Sequence, residues 1–199
     1  MQPAYYENFD EIIKKIWLML NDAVTNRSSQ FRIPVFICGI QNDFDGRIVV
    51  LRKSDQDNNL IQFHSDIRSD KIEKLKSNNR ASLIFYDKEE KIQVRAKVEC
   101  TVNHKNEVTE QSWLKTAHIS RKCYLVDNGP GTESIEPTSG LKPEKDNFDY
   151  TMEESEKGYE NFTVIQCKVK SFEWLYLAAK GHRRARFDLE NNKKIWLVP

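Results

Sequence analysis

The stretch "IQFHSDIRSDK", residues 61–71, begins as an apolar strand and ends as the first turn of a helix. Between the two it gathers the donors His64, Ser65, Arg68, Ser69 and Lys71. Such a corner can hold an anion, because the free N–H groups and the dipole at a helix start favour phosphate. It can equally be a solvated turn. Further donors sit in neighbouring apolar runs: Arg47 opens "RIVVLRK", Arg52 nearly closes it, and Gln93 lies inside "KIQVRAKVECTV". If these strands are neighbours, Arg47, His64 and the Ser69–Lys71 helix start converge on one rim. Arg47 and Lys71 would then add charge-assisted hydrogen bonds, each roughly twice as strong as a neutral one. Gln93 could donate and accept at the edge of a flat heterocycle. The same residues are also what ordinary surface charge would supply in a chain that is 31% charged, and spacing alone leaves both readings open.

The elements that must position these residues follow from periodicity. Helical spacing of Phe9, Ile12, Ile13, Ile16, Trp17 and Leu20 predicts an amphipathic helix over 8–25, with Asn8 and Glu11 spaced like a capping box. From residue 31 short apolar runs alternate with Asp, Asn and Gly clusters, the signature of an antiparallel meander. A short helix from Ser69 to Leu75 interrupts it, and "NEVTEQSWLKTAHIS" predicts a further helix. Residues 126–161 are rich in Gly, Pro, Ser, Asp and Glu and are expected to form a mobile loop. "FTVIQCKV", "FEWLYLA", "HRRARFDL" and "KKIWLVP" then add strands. The expectation is one mainly β domain over residues 1–199, a closed or nearly closed antiparallel barrel with flanking helices.

Bulk properties narrow the function classes. The 199 residues carry a net charge of +1, and mean hydropathy is −0.69, so no global field points to nucleic acid or an anionic membrane. No run is long enough to span a bilayer, and the acidic first residues do not read as a targeting segment. Cys38, Cys100, Cys123 and Cys167 form no C-x-x-C pair and have no His at metal-ligand spacing. They read as reduced structural thiols, with a cytoplasmic setting and no metal as the expectation. There is no G-x-S-x-G, no P-loop and no G-x-G-x-x-G, and the four His lie in unlike contexts.

Residues 47–99 resemble the FMN-binding core of the pyridoxamine 5′-phosphate oxidase-like split barrels. The matching features run in order: Arg47 to Arg52, Phe63-His64-Ser65, Ser69-Asp70-Lys71, "NNR" ending at Arg80, and Gln93-Val94-Arg95. The C-terminal "HRRARFDL" and "KKIWLVP" are similar to the family's closing strands, with Arg186 at the place of an Arg that reaches FMN. The resemblance implies an FMN cofactor whose phosphate is held by Arg47 and Lys71 with Ser69 and Arg68. Ile48, Val49 and Arg52 would lie along the ring and ribityl chain, His64 and Ser65 beneath, and Gln93 on the ring. It also implies a homodimer with FMN at the interface, Arg186 coming from the second subunit and Trp174 a further candidate there. Arg52 would place positive charge near the reduced ring.

On the substrate side the chain departs from the vitamin oxidase. His182 and Arg184 stand at the oxidase's Arg and His places as if exchanged, Trp113 replaces a phosphate-binding Tyr, and the Trp174-to-Arg186 spacing differs. A sister group of FMN-binding proteins is closer. The expectation is an FMN-dependent oxidoreductase with a small-molecule substrate contacted by His182, Arg184 and Arg121, with Ser120 as a further candidate. The alternative is a flavin carrier or sensor without turnover; nucleic-acid binding through "GHRRAR" is not expected.

Overall fold

The structure, a computed structural model, describes residues 3, 5–40, 43–141 and 150–199. Helix α1 (Phe9–Thr25) starts where Asn8 accepts hydrogen bonds from the amides of Asp10 and Glu11, a cap worth about 1 kcal/mol. Its buried residues Ile12, Ile16, Trp17, Leu20 and Ala23 recur at helical spacing and pack into the barrel. Trp17 meets Phe172 edge-on at 5.3 Å. Each such large side chain taken from water contributes on the order of 2 kcal/mol.

Among the described residues nine antiparallel strands form one sheet. They are β1 (Val35–Ile40), β2 (Asp43–Ile48), β3 (Leu51–Asp55), β4 (Leu60–Asp66), β5 (Arg80–Asp87), β6 (Ile92–Asn103), β7 (Phe162–Tyr176), β8 (Arg183–Asp188) and β9 (Lys193–Leu197). The order is β2-β1-β5-β6-β7-β4-β3, with β8 on β7 and β9 on β8. Strand β7 is where the barrel divides. Its first half, through Lys168, pairs with β4, its second, from Ser171, with β8, and β6 runs along its other edge throughout. This is a split barrel, mainly β with flanking helices: the meander of short strands predicts a barrel, and the resemblance implies its split form.

Four local readings change. The run "RIVVLRK" is not one strand: Arg47 and Ile48 end β2, and the chain turns at Val49, whose amide donates to Pro34 O, before β3 begins. Continuous β-branched residues hide that corner because they suit both strands. Of the stretch "QNDFDG", read from sequence as a turn, residues 43–46 lie within β2, and residues 41 and 42 lie outside the described ones. "FTVIQCKV" and "FEWLYLA" are one long strand. The helix expected across residues 106–120 breaks into α3 (Glu107–Leu114) and α4 (His118–Arg121). Arg121 braces the break by donating to the Trp113 and Thr116 carbonyls.

Helix α2 (Asp70–Ser77) crosses from β4 to β5. Part of the expected loop is ordered into α5 (Met152–Glu156) and a 3-10 turn over Lys157–Asn161, with Tyr150 and Ser155 buried; residues 142–149 lie outside the described ones. All four cysteines are free thiols, and Cys100 and Cys167 face each other across β6 and β7 at 3.6 Å. No helix among the described residues is long and apolar enough to cross a membrane.

Candidate functional site

Strand alternation decides where each expected residue goes. On β4, Ser65 shares the inward face of Phe63, while His64 points the other way with Gln62. The two adjacent donors therefore serve different places.

Ser65 belongs to a corner built where β2, β4 and α2 meet. Arg47 is paired in register with the buried Phe36 and so leans inward. Lys71, in the first turn of α2, is buried, and its ammonium donates to Ser65 Oγ at 2.9 Å and Ser69 Oγ at 2.6 Å. Burial, and then the nearby Arg47, push its pKa down. Because the Ser69 hydroxyl is engaged there, it does not cap α2. Asp70 takes that role instead, its Oδ1 accepting from the Lys71 amide at 2.8 Å. The same carboxylate accepts from both terminal nitrogens of Arg47, at 2.8 and 3.1 Å. Asp45 also pairs with Arg47. The Arg47 guanidinium holds Asp70 below the usual carboxylate range, while Arg47 Nε is buried with no partner.

His64 belongs to a polar cleft of about 690 Å³ on the other side of β4. Arg52 reaches it because β3 carries an irregularity between Leu51 and Lys53, which leaves Arg52 outside the ladder and re-aims it. No hydrogen bond or ion pair holds Arg52 among the described residues, its buried Nε is unmatched, and burial lowers its pKa. Arg27, Arg52, Lys53 and Lys115 line the cleft against one carboxylate, Glu107. Burial, and then Arg52, depress the His64 pKa to about 3, so its imidazole is neutral. Gln62 donates to Ser112 Oγ at 3.0 Å and fixes α3 over the cleft. His64 thus does not join Arg47 and Lys71 on one rim, contrary to the expectation from spacing.

Other expected residues are placed elsewhere. Val49 is buried in the corner after β2. Arg68 faces away from Lys71: it pairs with Asp66 at 2.7 Å and donates to the Val126 and Asp127 carbonyls. Gly129 packs so close to it that an added Cβ would lie 2.9 Å from Arg68 Cβ. Arg121 is buried under Trp113 and Ser155 and paired with Glu156, so it holds α3, α4 and α5 together and is not on a cleft wall. Trp174 lies in the core beside Tyr6 and Tyr176.

Registers place Ile48, Val35, Ile84, Arg95, Glu173 and Arg186 in one row on the outer face of the sheet. The adjacent row carries Tyr86, Gln93, Leu175 and Arg184. Glu173 organises this face by accepting from Arg184 at 2.5 and 2.9 Å, from Arg186 at 3.4 Å, and from Arg95. Ile48 and Tyr86 are exposed there. His182 and Arg184 line a second cleft, of about 600 Å³, with Glu7, Trp196 and Pro199; His182 Nδ1 accepts from the Ala178 amide.

Sequence reasoning missed Glu173, Asp45 and the cleft cations Arg27 and Lys115. For Glu173 a signal exists: one acid alternating with buried Phe172 and Trp174 on a strand flanked by basic ones. Asp45 lies two residues from Arg47 on one strand face, which becomes visible once "DFDGRI" is read as a strand.

Residues 16–104 match the family described as "Pyridoxamine 5'-phosphate oxidase, FMN-binding domain". The chain is similar to a crystal structure of a pyridoxamine 5'-phosphate oxidase-related, FMN binding protein from Nostoc punctiforme PCC 73102 (TM-score 0.70, 16% identity, 100% of both chains covered). It is similar to PhzG from Burkholderia lata 383, crystallised with tetrahydrophenazine-1-carboxylic acid (TM-score 0.72, 14% identity, covering 100% of this chain and 98% of that one). A third likeness is to a Clostridium acetobutylicum protein related to general stress protein 26 (TM-score 0.56, 12% identity, covering 90% and 99%). No curated protein matches the chain. At these identities the likeness to solved structures is one of fold.

Proposed function

We propose, from the match of residues 16–104 to the pyridoxamine 5′-phosphate oxidase FMN-binding domain and the fold shared with the Nostoc protein, that the chain is a pyridoxamine 5′-phosphate oxidase-like FMN-binding flavoprotein and an FMN-dependent oxidoreductase acting on a small anionic molecule. The observation that carries the reading is the convergence of Arg47, Lys71, Ser65 and Ser69 within the matched segment. Two cations and two hydroxyls at a helix start are a donor set that fits a phosphate. The unmatched Arg47 Nε is a donor the fold itself does not use. Asp70 and Asp45 are the groups there that oppose an anion.

FMN, when bound, would supply two-electron redox chemistry at its isoalloxazine ring. Arg47, Lys71, Ser65 and Ser69 would hold its phosphate. Arg52, positive and without a carboxylate partner, would set the field near the ring, and neutral His64 would shape the wall without adding charge. The excess of cations in the Arg52 cleft favours an anionic substrate. The outer face, with Ile48, Tyr86 and Gln93, would seat a second copy, whose Arg186, Arg184 and His182 then come to the flavin. A C2 homodimer accounts for a face that mixes exposed apolar residues with charges already paired by Glu173. The setting proposed is cytoplasmic, where free thiols stay reduced.

The visible spectrum of purified protein mixed with FMN and passed through a desalting column is the test. Absorbance at about 450 nm that travels with the protein supports the reading; free flavin left behind sinks it. A second reading, a flavin carrier or sensor without turnover, is favoured by the engagement of Arg121 with Glu156 and of Arg184 with Glu173. Hydrogen peroxide release with pyridoxamine 5′-phosphate as sole substrate would remove that alternative.

A further inference from the structure

We infer that Asp70 determines how strongly the Lys71 corner prefers a phosphorylated flavin over an unphosphorylated one. The inference rests on the flavin reading above and concerns a residue that reading leaves unexplained. Asp70 stands on three donors a phosphate would use: both terminal nitrogens of Arg47, at 2.8 and 3.1 Å, and the Lys71 amide at the start of α2, at 2.8 Å. The corner is therefore already occupied by an anion of its own.

Charge makes the same point. Arg47 and Lys71 are matched by Asp70 and Asp45, so the four groups are formally neutral. The next pair outward, Arg68 with Asp66, is self-balanced and directed to the 126–127 carbonyls. An arriving phosphate dianion meets hydroxyls and amides here but no excess positive charge. It gains the two terminal nitrogens of Arg47 only as the Asp70 carboxylate leaves. That exchange is open to Asp70, whose side chain is 57% exposed and can turn to solvent. Asp45, at 31%, stays beside Arg47. The neutral ring and ribityl chain of riboflavin make no such demand. The corner thus binds FMN by exchange, and the FMN-over-riboflavin preference is compressed by the carboxylate that must be displaced.

Flavin fluorescence titrations of wild type, Asp70→Asn and Asp70→Ser with FMN and with riboflavin test this at fixed pH and ionic strength. Thermal melts of each protein report that the variants are folded. The inference expects wild type to favour FMN by less than about a hundred-fold. It expects Asp70→Asn to tighten FMN roughly ten-fold, the scale of removing one like charge about 5 Å away in a half-exposed site, with riboflavin unchanged within about two-fold. Asp70→Ser should do the same. Asp45→Asn should shift FMN in the same direction by less. If wild type binds FMN and neither Asp70 variant changes the FMN-to-riboflavin ratio, the inference is overturned and the flavin reading stands. An equal shift for both flavins also overturns it, since Asp70 would then act through the fold. If no variant and no wild type binds either flavin, the flavin reading fails and takes this one with it.

Discussion

Ser65 and His64 are neighbours in the chain, yet they open onto basic places of opposite character. On the Ser65 side, Lys71 is buried and Arg47 half-buried among partners: two hydroxyls and two carboxylates. On the His64 side, Arg52 has no partner among the described residues, and with Lys53 paired to Asp55 the remaining cations Arg27, Arg52 and Lys115 still outnumber the lining carboxylate Glu107. A neutral corner holds its geometry in the absence of ligand but must give up a contact to gain one. An uncompensated cleft keeps its field for whatever enters, at a standing cost to stability, because a half-buried charge without a partner is expensive. The fold separates the two economically: one step along β4 reverses the side chain, and the irregular start of β3 lets Arg52 follow His64.

Lys71→Ala should break the first half of that comparison most severely. It removes a buried cation that touches both hydroxyls, and FMN affinity should fall at least about ten-fold in a fluorescence titration. Arg47→Ala should lose a similar factor, because it also leaves Asp45 and Asp70 facing the ligand unpaired. Unchanged FMN affinity in both would mean the corner is a structural knot and the phosphate is held elsewhere.

Arg52→Met sharpens the second half, since the two regions should answer in opposite senses. Replacing an unpartnered, half-buried cation with an apolar side chain of similar length should raise the melting temperature by about 2 °C or leave it unchanged. Flavin affinity and the response to anionic substrates should fall several-fold. A variant less stable than wild type would show that Arg52 is compensated after all.

The fold was largely legible because alternation and turn chemistry are local. The β6 pattern, from Ile92 to Cys100, lies in the sheet as its alternation requires, and α1 buries the apolar residues its spacing selects. What escaped was tertiary. That Ser65 and His64 face opposite ways follows from strand geometry, but which face carries which neighbour depends on β7 pairing with β4 across about a hundred residues. In sequence Arg68, two residues away, is the arginine nearest to Asp70. In the fold Arg47 takes it, because β2 ends beside α2 while Arg68 is drawn off by Asp66. Arg121 shows the same limit: a basic residue after a helix reads as a ligand contact until its carbonyl partners are known.

Glu173→Gln extends the comparison to the outer face, where one carboxylate holds Arg95, Arg184 and Arg186. Losing it should lower stability in urea by about 1 kcal/mol, discounted for the exposure of the arginines. It should also increase the positive charge presented to a second copy, so that dimerisation weakens as ionic strength is lowered. Sedimentation at two salt concentrations reads this directly, and a salt-independent oligomeric state would detach Glu173 from the interface.

The last effect concerns pH and isolates the His64 side. The imidazole's pKa is depressed to about 3, first by burial and then by Arg52, against an ordinary value of 6.5. Between those two values the unfolded chain binds a proton that the folded chain refuses. Stability therefore rises with pH through this window and falls as pH drops from about 6.5 toward 3. Carboxylates whose pKa values are lowered by their partners, Asp70 among them, add a loss of the same sign but at lower pH, beginning as their unfolded counterparts protonate near 4. The upper part of the window, roughly pH 6.5 to 5, belongs to His64 alone of these groups. His64→Gln should flatten the melting-temperature profile there and leave the steeper acid limb in place. Arg52→Met should flatten it partly, because it removes the second cause of the shift and leaves the first. A His64→Gln profile parallel to wild type from pH 6.5 to 5 would mean that the imidazole is protonated in the folded protein, and the cleft would then carry one more positive charge than its geometry assigns.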